Sequence, residues 1–170
     1  MNVLAVIDMQ NDFITGALGT KEAEAIVEKV AEKICDAQEA GWRVVFTRDT
    51  HHEDYLDTQE GRNLPVPHCI LGSEGWQITS ALDATGCPVF DKPSFGSPEL
   101  IRFLSMMHEL EQVQFVGLCT DICVITNVLM LKGALPELPI SVDSACCAGV
   151  TPESHENALA AMKACQIRIV

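Results

Sequence analysis

At 170 residues the chain has room for one domain with a substantial core and not for two. Its 11 Lys plus Arg against 24 Asp plus Glu leave a net charge of −13, which repels phosphate backbones and anionic lipid surfaces and argues against nucleic acid or membrane as a partner. At 48% hydrophobic and 21% charged residues the composition is that of a folded globule rather than a disordered acidic chain, and the unusual count is eight cysteines. Those cysteines allow a disulfide framework, a metal cage, core packing or a nucleophile.

The first apolar run, Val3 to Ile7, has no basic flank and stops at Asp8, so it reads as neither a signal peptide nor a membrane span. A cytoplasmic protein with reduced thiols is the resulting expectation. No Cys-x-x-Cys pair occurs: Cys119 and Cys123 are four apart, and Cys146 and Cys147 are adjacent. Ile26, Val27, Val30, Ile34 and Ala37 repeat at helical spacing with Glu and Lys between them and end at Gly41.

Further apolar or β-branched runs follow at Arg43 to Thr47, Pro88 to Asp91, Val113 to Val116, Ile140 to Val142 and Ile167 to Val170. Most lack polar alternation, as strands buried on both faces do. Ser97-Pro98 and Thr151-Pro152 read as N-cap plus first helical residue. Ile122 to Leu131 is apolar nearly all round, which predicts a helix buried against the sheet or a second copy. The expectation is a single α/β domain over 1–170, a three-layer α/β/α sandwich on a mostly parallel, doubly wound sheet of six strands. Thr50 to Gly75 breaks the regularity with His, Asp, Glu, Pro and Gly, and loops of that length are usually functional.

In such sheets ligands bind beyond the carboxyl ends of the strands. The first four runs lead there to Asp8, to Asp49 with His51 and His52, to Lys92, and through Gly117 to Cys123. A helix beginning near Thr120 would lower the pKa of Cys123 through its N-terminal dipole, with Lys92 pushing the same way and Asp8 as base. On spacing alone, Cys123 also reads as a buried core thiol, Lys92 as a surface residue and Asp8 as a cap. Asp49, His51 and His68, with Glu60 as a fourth donor and His52 as an alternative, could hold zinc, iron or manganese, or could be solvated loop residues.

The motifs Asp8-Met-Gln-Asn-Asp-Phe13, Thr47-Arg48-Asp49-Thr50-His51, Pro65-Val66-Pro67-His68-Cys69 and Gly117-Leu118-Cys119-Thr120-Asp121-Ile122-Cys123, in this order along essentially the whole chain, resemble the isochorismatase-like cysteine hydrolases and, among them, the nicotinamidase/pyrazinamidase branch. The resemblance implies the isochorismatase-like hydrolase fold and a catalytic triad of Asp8, Lys92 and Cys123. It further implies an oxyanion hole from the backbone amides of Cys119 and Cys123, a cis peptide between Leu118 and Cys119, and Phe13 in the substrate site. A divalent metal, zinc foremost with iron or manganese as alternatives, would be held by Asp49, His51 and His68 with Glu60.

The implied activity is hydrolysis of a small carboxamide such as nicotinamide to acid and ammonia through a cysteine thioester, in a homo-oligomeric enzyme. Pro65 stands where an aromatic residue is common in that branch, with Trp76 or Tyr55 as substitutes, and Pro93-Ser94-Phe95-Gly96 is a short segment after Lys92. An isochorismatase-type or carbamoyl-amide hydrolase is the alternative enzyme, and a metal-binding module that keeps the fold is the non-enzymatic one. Cys35, Cys87, Cys146, Cys147 and Cys165 are expected to be packing thiols.

Overall fold

A computed structural model describes residues 1–170. Six parallel strands form one sheet, β1 (Asn2–Ile7), β2 (Arg43–Asp49), β3 (Val89–Lys92), β4 (Gln112–Leu118), β5 (Ile140–Ala148) and β6 (Arg168–Ile169), in the order β3-β2-β1-β4-β5-β6. Every pairing is parallel, so the expected mostly parallel sheet is wholly parallel. Between them run α1 (Asn11–Ile14), α2 (Lys21–Glu39), α3 (Gln59–Asn63), α4 (Pro98–Ser105), α5 (Ile125–Ala134) and α6 (Pro152–Ala164). No helix is long and apolar enough to cross a membrane.

The period of two along β1 explains its lack of polar alternation. Val3, Ala5 and Ile7 pack under α4, α5 and α6, while Leu4 and Val6 face α1 and α2, so both faces of the central strand are buried. The helix starts are chemical. Thr20, Ser97 and Thr151 each accept the amide of the third residue onward, at 3.0, 3.1 and 3.1 Å, and Thr151 closes a reciprocal box with Ser154. β5 continues to Ala148, well past the expected Val142, because Cys147 and Ala148 re-register on Gly117 and Leu118 after an irregularity in the ladder. The polar Asp143-Ser144 step hides that continuation from a hydropathy reading.

The loop beginning at Thr50 holds a 3₁₀ turn (Tyr55–Asp57) and α3, the latter capped by Thr58, whose hydroxyl accepts from Gly61 N–H at 2.9 Å. Gly61 is required here, since a Cβ at this position would lie 2.0 Å from the Tyr55 carbonyl oxygen. All eight cysteines are free. Cys146 and Cys147 are buried as expected, but Cys35 and Cys165 are exposed and are not packing thiols, since each falls on the solvent side of its helix end.

Candidate active site

The strand order reverses between β1 and β4, and the carboxyl ends around that switch point carry the expected residues. Asp8 follows β1 with φ +46°, a conformation that non-glycine residues rarely adopt outside constrained sites. Thr47 of β2 fixes it: Asp8 N–H donates to Thr47 Oγ1 at 3.2 Å and Thr47 Oγ1 donates to Asp8 Oδ1 at 2.6 Å. Lys92 closes β3, and its ammonium sits 2.7 Å from Asp8 Oδ2, 3.1 Å from Asp49 Oδ1, 2.9 Å from the Ser94 carbonyl and 3.3 Å from Cys123 Sγ. Three N–H donors thus face four acceptors.

Cys123 lies in a π-helical turn, Thr120–Val124, that leads into α5. The Leu118–Cys119 peptide before it is cis, as expected. Gly117, at φ +115°, lets β4 pass β1, since a Cβ there would meet the Ile7 carbonyl oxygen at 2.1 Å. Asp8, Lys92 and Cys123 are 0%, 1% and 5% exposed, so their charges interact away from bulk water.

Burial acts against the expected lowering of Cys123: it pushes the thiol well above its ordinary range, Lys92 opposes this, and Asp8 and Asp49 reinforce it. Burial likewise raises Asp8 despite Lys92, with Asp49 adding to the rise. Burial disfavours the Lys92 cation, but the Asp8 and Asp49 carboxylates hold it charged, above the usual lysine range. Asp8 and Cys123 thus flank one buried ammonium, at 2.7 and 3.3 Å from Lys92 Nζ.

Next to the triad, Asp49, His51, Glu60 and His68 place one donor atom each within 4.8 Å of one another. Asp49 Oδ2 is 2.9 Å from His51 Nε2 and 3.5 Å from His68 Nε2, and Glu60 Oε1 is 3.5 Å from His51 Nε2 and 3.9 Å from His68 Nε2. Donor atoms about 2.0 to 2.2 Å from a shared zinc lie about 3 to 3.5 Å apart; the Asp49–His51, Asp49–His68 and Glu60–His51 separations are close to that, and the wider Glu60–His68 one would shorten around a divalent ion. His68 Nδ1 engages the Val66 carbonyl at 2.8 Å, which directs Nε2 at the cluster. Burial opposes ionisation of Asp49, but bonds from His51 and His68 and the Lys92 charge hold its carboxyl below the usual range. Burial and the Asp49 charge raise Glu60. His52, the alternative ligand, is exposed and outside the cluster, because the Asp49-to-His51 step keeps one face of the extended chain while His52 falls on the other.

Phe13 is buried with its ring 5.5 Å from that of His68, on the metal side of the site. Tyr55 is a packing residue and not an open wall: its ring lies 4.7 Å from His51 and 5.1 Å from His68, and its hydroxyl donates to the Leu64 carbonyl at 2.9 Å. Trp76 donates from Nε1 to Thr50 Oγ1 at 2.9 Å, and the Arg48 guanidinium covers its ring at 3.7 Å. A surface cavity of about 550 Å³ beside Leu104, Leu110 and Leu138 lies at the opposite end of β4, away from Asp8, Lys92 and Cys123.

Two positioning residues escaped the sequence reading although both stand in the Asp8-to-Phe13 motif. Gln10, fully buried, accepts from Asp49 N–H at 2.6 Å and donates to the carbonyls of Asp49 and Trp76 at 2.8 and 2.9 Å. Asp12 Oδ2 accepts from the amide of Cys69, itself at φ +47°, at 2.7 Å and so holds the segment that presents His68. Polar side chains directly after a buried strand were the available signal. Asp12→Ala is expected to weaken metal affinity by about 10- to 100-fold, read by competition with a chromophoric chelator, with a stability loss of about 1 to 3 kcal/mol.

Residues 2–170 match the family model of the isochorismatase domain. The chain is 29% identical over 145 residues to nicotinamidase 1 of Arabidopsis thaliana, a match covering 71% of this chain and 56% of the plant protein, so it spans little more than half of that relative. It is 27% identical over 142 residues to the nicotinamidase/pyrazinamidase of Mycobacterium tuberculosis, covering 73% of this chain and 75% of the relative. The crystal structure of the Pyrococcus horikoshii pyrazinamidase in complex with zinc superposes with a TM-score of 0.87 at 29% identity, over 99% of this chain and 98% of that one. The chain belongs to the isochorismatase family, and the relatives it resembles there are nicotinamidase-type amide hydrolases.

Proposed function

We propose that this protein is a metal-dependent cysteine amidohydrolase of the nicotinamidase type, converting a small carboxamide to its acid and ammonia. The observation that carries this reading is the contact of Lys92 Nζ with Asp8, Asp49 and Cys123 at one strand-end crevice, beside four metal-type donors. A binding module has no use for a buried thiol, base and cation in mutual contact.

Cys123 Sγ attacks the amide carbonyl carbon as its proton passes to Asp8, whose affinity for a proton is raised by burial. The charge that develops on the carbonyl oxygen is stabilised by the amides of Cys119 and Cys123. No protein group accepts from the Cys119 N–H, which leaves it free for that oxygen. Asp8 returns the proton to the leaving nitrogen as the C–N bond breaks, and ammonia departs to leave a thioester on Cys123. Asp8 then takes a proton from the attacking water, and collapse releases the acid and restores the thiol. Lys92 stays an ammonium throughout and balances Asp8.

Asp49, His51, Glu60 and His68 would hold the metal, which would supply an electrophilic anchor for a lone pair on the substrate. Zinc suits the donor set, with iron or manganese as alternatives. A homo-oligomer is supported by the half-buried apolar face of α5, Ile125, Leu129 and Met130. Ammonia release from nicotinamide, pyrazinamide and a carboxamide panel tests the activity, with the protein stripped by chelator and then reloaded with single metals. Turnover should disappear on stripping and return on reloading, and His68→Ala should abolish both metal retention and turnover. A protein that retains metal and hydrolyses nothing in the panel overturns the proposal.

A further inference from the structure

We infer that Asn127 is a positioning residue that latches residues 93–97 as a strap over Cys123 and so sets how readily a small amide reaches the thiol. Asn127 is fully buried on α5, four residues beyond Cys123. Its Oδ1 accepts from Ser97 N–H at 2.8 Å, and its Nδ2 donates to the carbonyls of Phe95 at 3.1 Å and Cys123 at 2.8 Å. Two carbonyls and one N–H around a single side-chain amide leave it one orientation. One side chain therefore joins the backbone of the nucleophile to the backbone of the strap.

The strap is the outer layer here. Pro93, Ser94 and Phe95 are exposed, Phe95 by 42%, while Lys92 and Cys123 beneath are 1% and 5% exposed. Before α4 begins, the strap is held by the bond from Lys92 Nζ to Ser94, by the two Asn127 bonds, and by Gly96 lying flat on α5. A Cβ at Gly96 would meet Met130 Sδ at 2.3 Å. Losing Asn127 leaves residues 93–96 with one hydrogen bond, from Lys92 Nζ to Ser94, and Ser97 with only its α4 cap bonds to Leu100 and Ile101. Local openings that expose Cys123 then become more frequent without unfolding of the sheet.

The inference rests on the proposed amidohydrolase reading for its effect on substrate, but its first readout does not use turnover. The wild-type protein and Asn127→Ala are treated with iodoacetamide, and each cysteine is followed by peptide mass spectrometry. Exposed Cys35 and Cys165 serve as internal references, and Cys69 and Cys147 report on the buried interior. Carbamidomethylation of Cys123 should accelerate about tenfold or more relative to the references, with Cys69 and Cys147 still protected.

For a hydrolysed carboxamide, KM should rise about five- to tenfold with kcat changing less than about threefold. Asn127→Ser, which can keep a bond to the Cys123 carbonyl as Thr126 does to Ile122 at 2.6 Å, releases the strap alone and should show the same acceleration. A change at Cys123 below about twofold in both variants overturns the inference, as does parallel exposure of Cys69 and Cys147, which marks general loosening. A wild-type protein without amidase activity overturns the functional proposal and leaves the labelling result to decide the latch.

Discussion

Cys123→Ala is expected to lower kcat/KM for carboxamide hydrolysis by about 10⁴-fold or more while leaving stability within about 1 kcal/mol of the wild type. In the proposed mechanism the thiol is the group that forms the acyl intermediate. Truncation to Ala removes one sulfur atom from a core cluster of 19 buried residues that also includes Val124, Val128 and Leu131. Cys123→Ser is the sharper variant. It keeps a hydroxyl in place beside Lys92 and Asp8, yet the weaker nucleophile, in a site built around a sulfur 3.3 Å from Lys92 Nζ, should recover little of the rate. Ammonia release and thermal denaturation on the same samples separate chemistry from folding. Turnover within about tenfold of wild type in Cys123→Ala overturns the nucleophile assignment.

Lys92→Met is expected to have the largest effect on stability. Lys92 is 1% exposed and is the cation between Asp8 and Asp49, at 2.7 and 3.1 Å. An apolar side chain of similar length leaves two buried carboxylates facing each other without a counter-charge, a loss of about 3 to 5 kcal/mol. The pH dependence has a definite sign. Asp8 is already raised by burial in the presence of Lys92, and removing the cation raises it further. The folded variant then binds more protons than its unfolded chain, so its deficit relative to wild type grows as pH rises through the Asp8 range and shrinks as pH falls. Urea unfolding of both proteins at about pH 5 and about pH 8 measures this. A deficit below about 1 kcal/mol, or one that grows toward acid, shows that the ion pair is not holding the site together. Activity should be lost at both pH values, since neither Asp8 nor the thiol is then balanced.

Much of the architecture was legible because it is periodic and local. β1 reads as a doubly buried strand since both Val3-Ala5-Ile7 and Leu4-Val6 are apolar, and Ser97-Pro98 and Thr151-Pro152 mark helix starts through side-chain oxygens acting on nearby amides. The strand ends follow from where these runs stop, which puts Asp8, Asp49, Lys92 and the turn before Cys123 on one edge of a parallel sheet. His51 and His52 were not separable in that way. Adjacent histidines have the same composition and opposite directions, and only the pairing of His51 with the Cys69-to-Leu71 segment, at 3.0 and 2.8 Å, decides which one enters the cluster. Glu60 depends similarly on the tight passage of Gly61 over Tyr55.

The buried surroundings of Cys123 were not legible at all. A helix N-terminus and a lysine are local features that favour thiolate. The burial that favours thiol arises where Asp8, Asp49, Lys92 and Cys123, far apart in the chain, are brought into contact. The same holds for Asn127, which in sequence is one polar residue in an apolar helix and in the fold is the hydrogen-bonded joint between that helix and the strap.

Residue types, the two-residue and 3.6-residue periods and the capping chemistry were enough by themselves to specify a parallel α/β sheet with an acid, a base, a thiol and metal-type donors at its strand ends. Only the tertiary structure decided which of those groups touch and which are dry. Those properties depend on distances between residues remote in the chain and on exclusion of water, and neither is encoded in any local stretch.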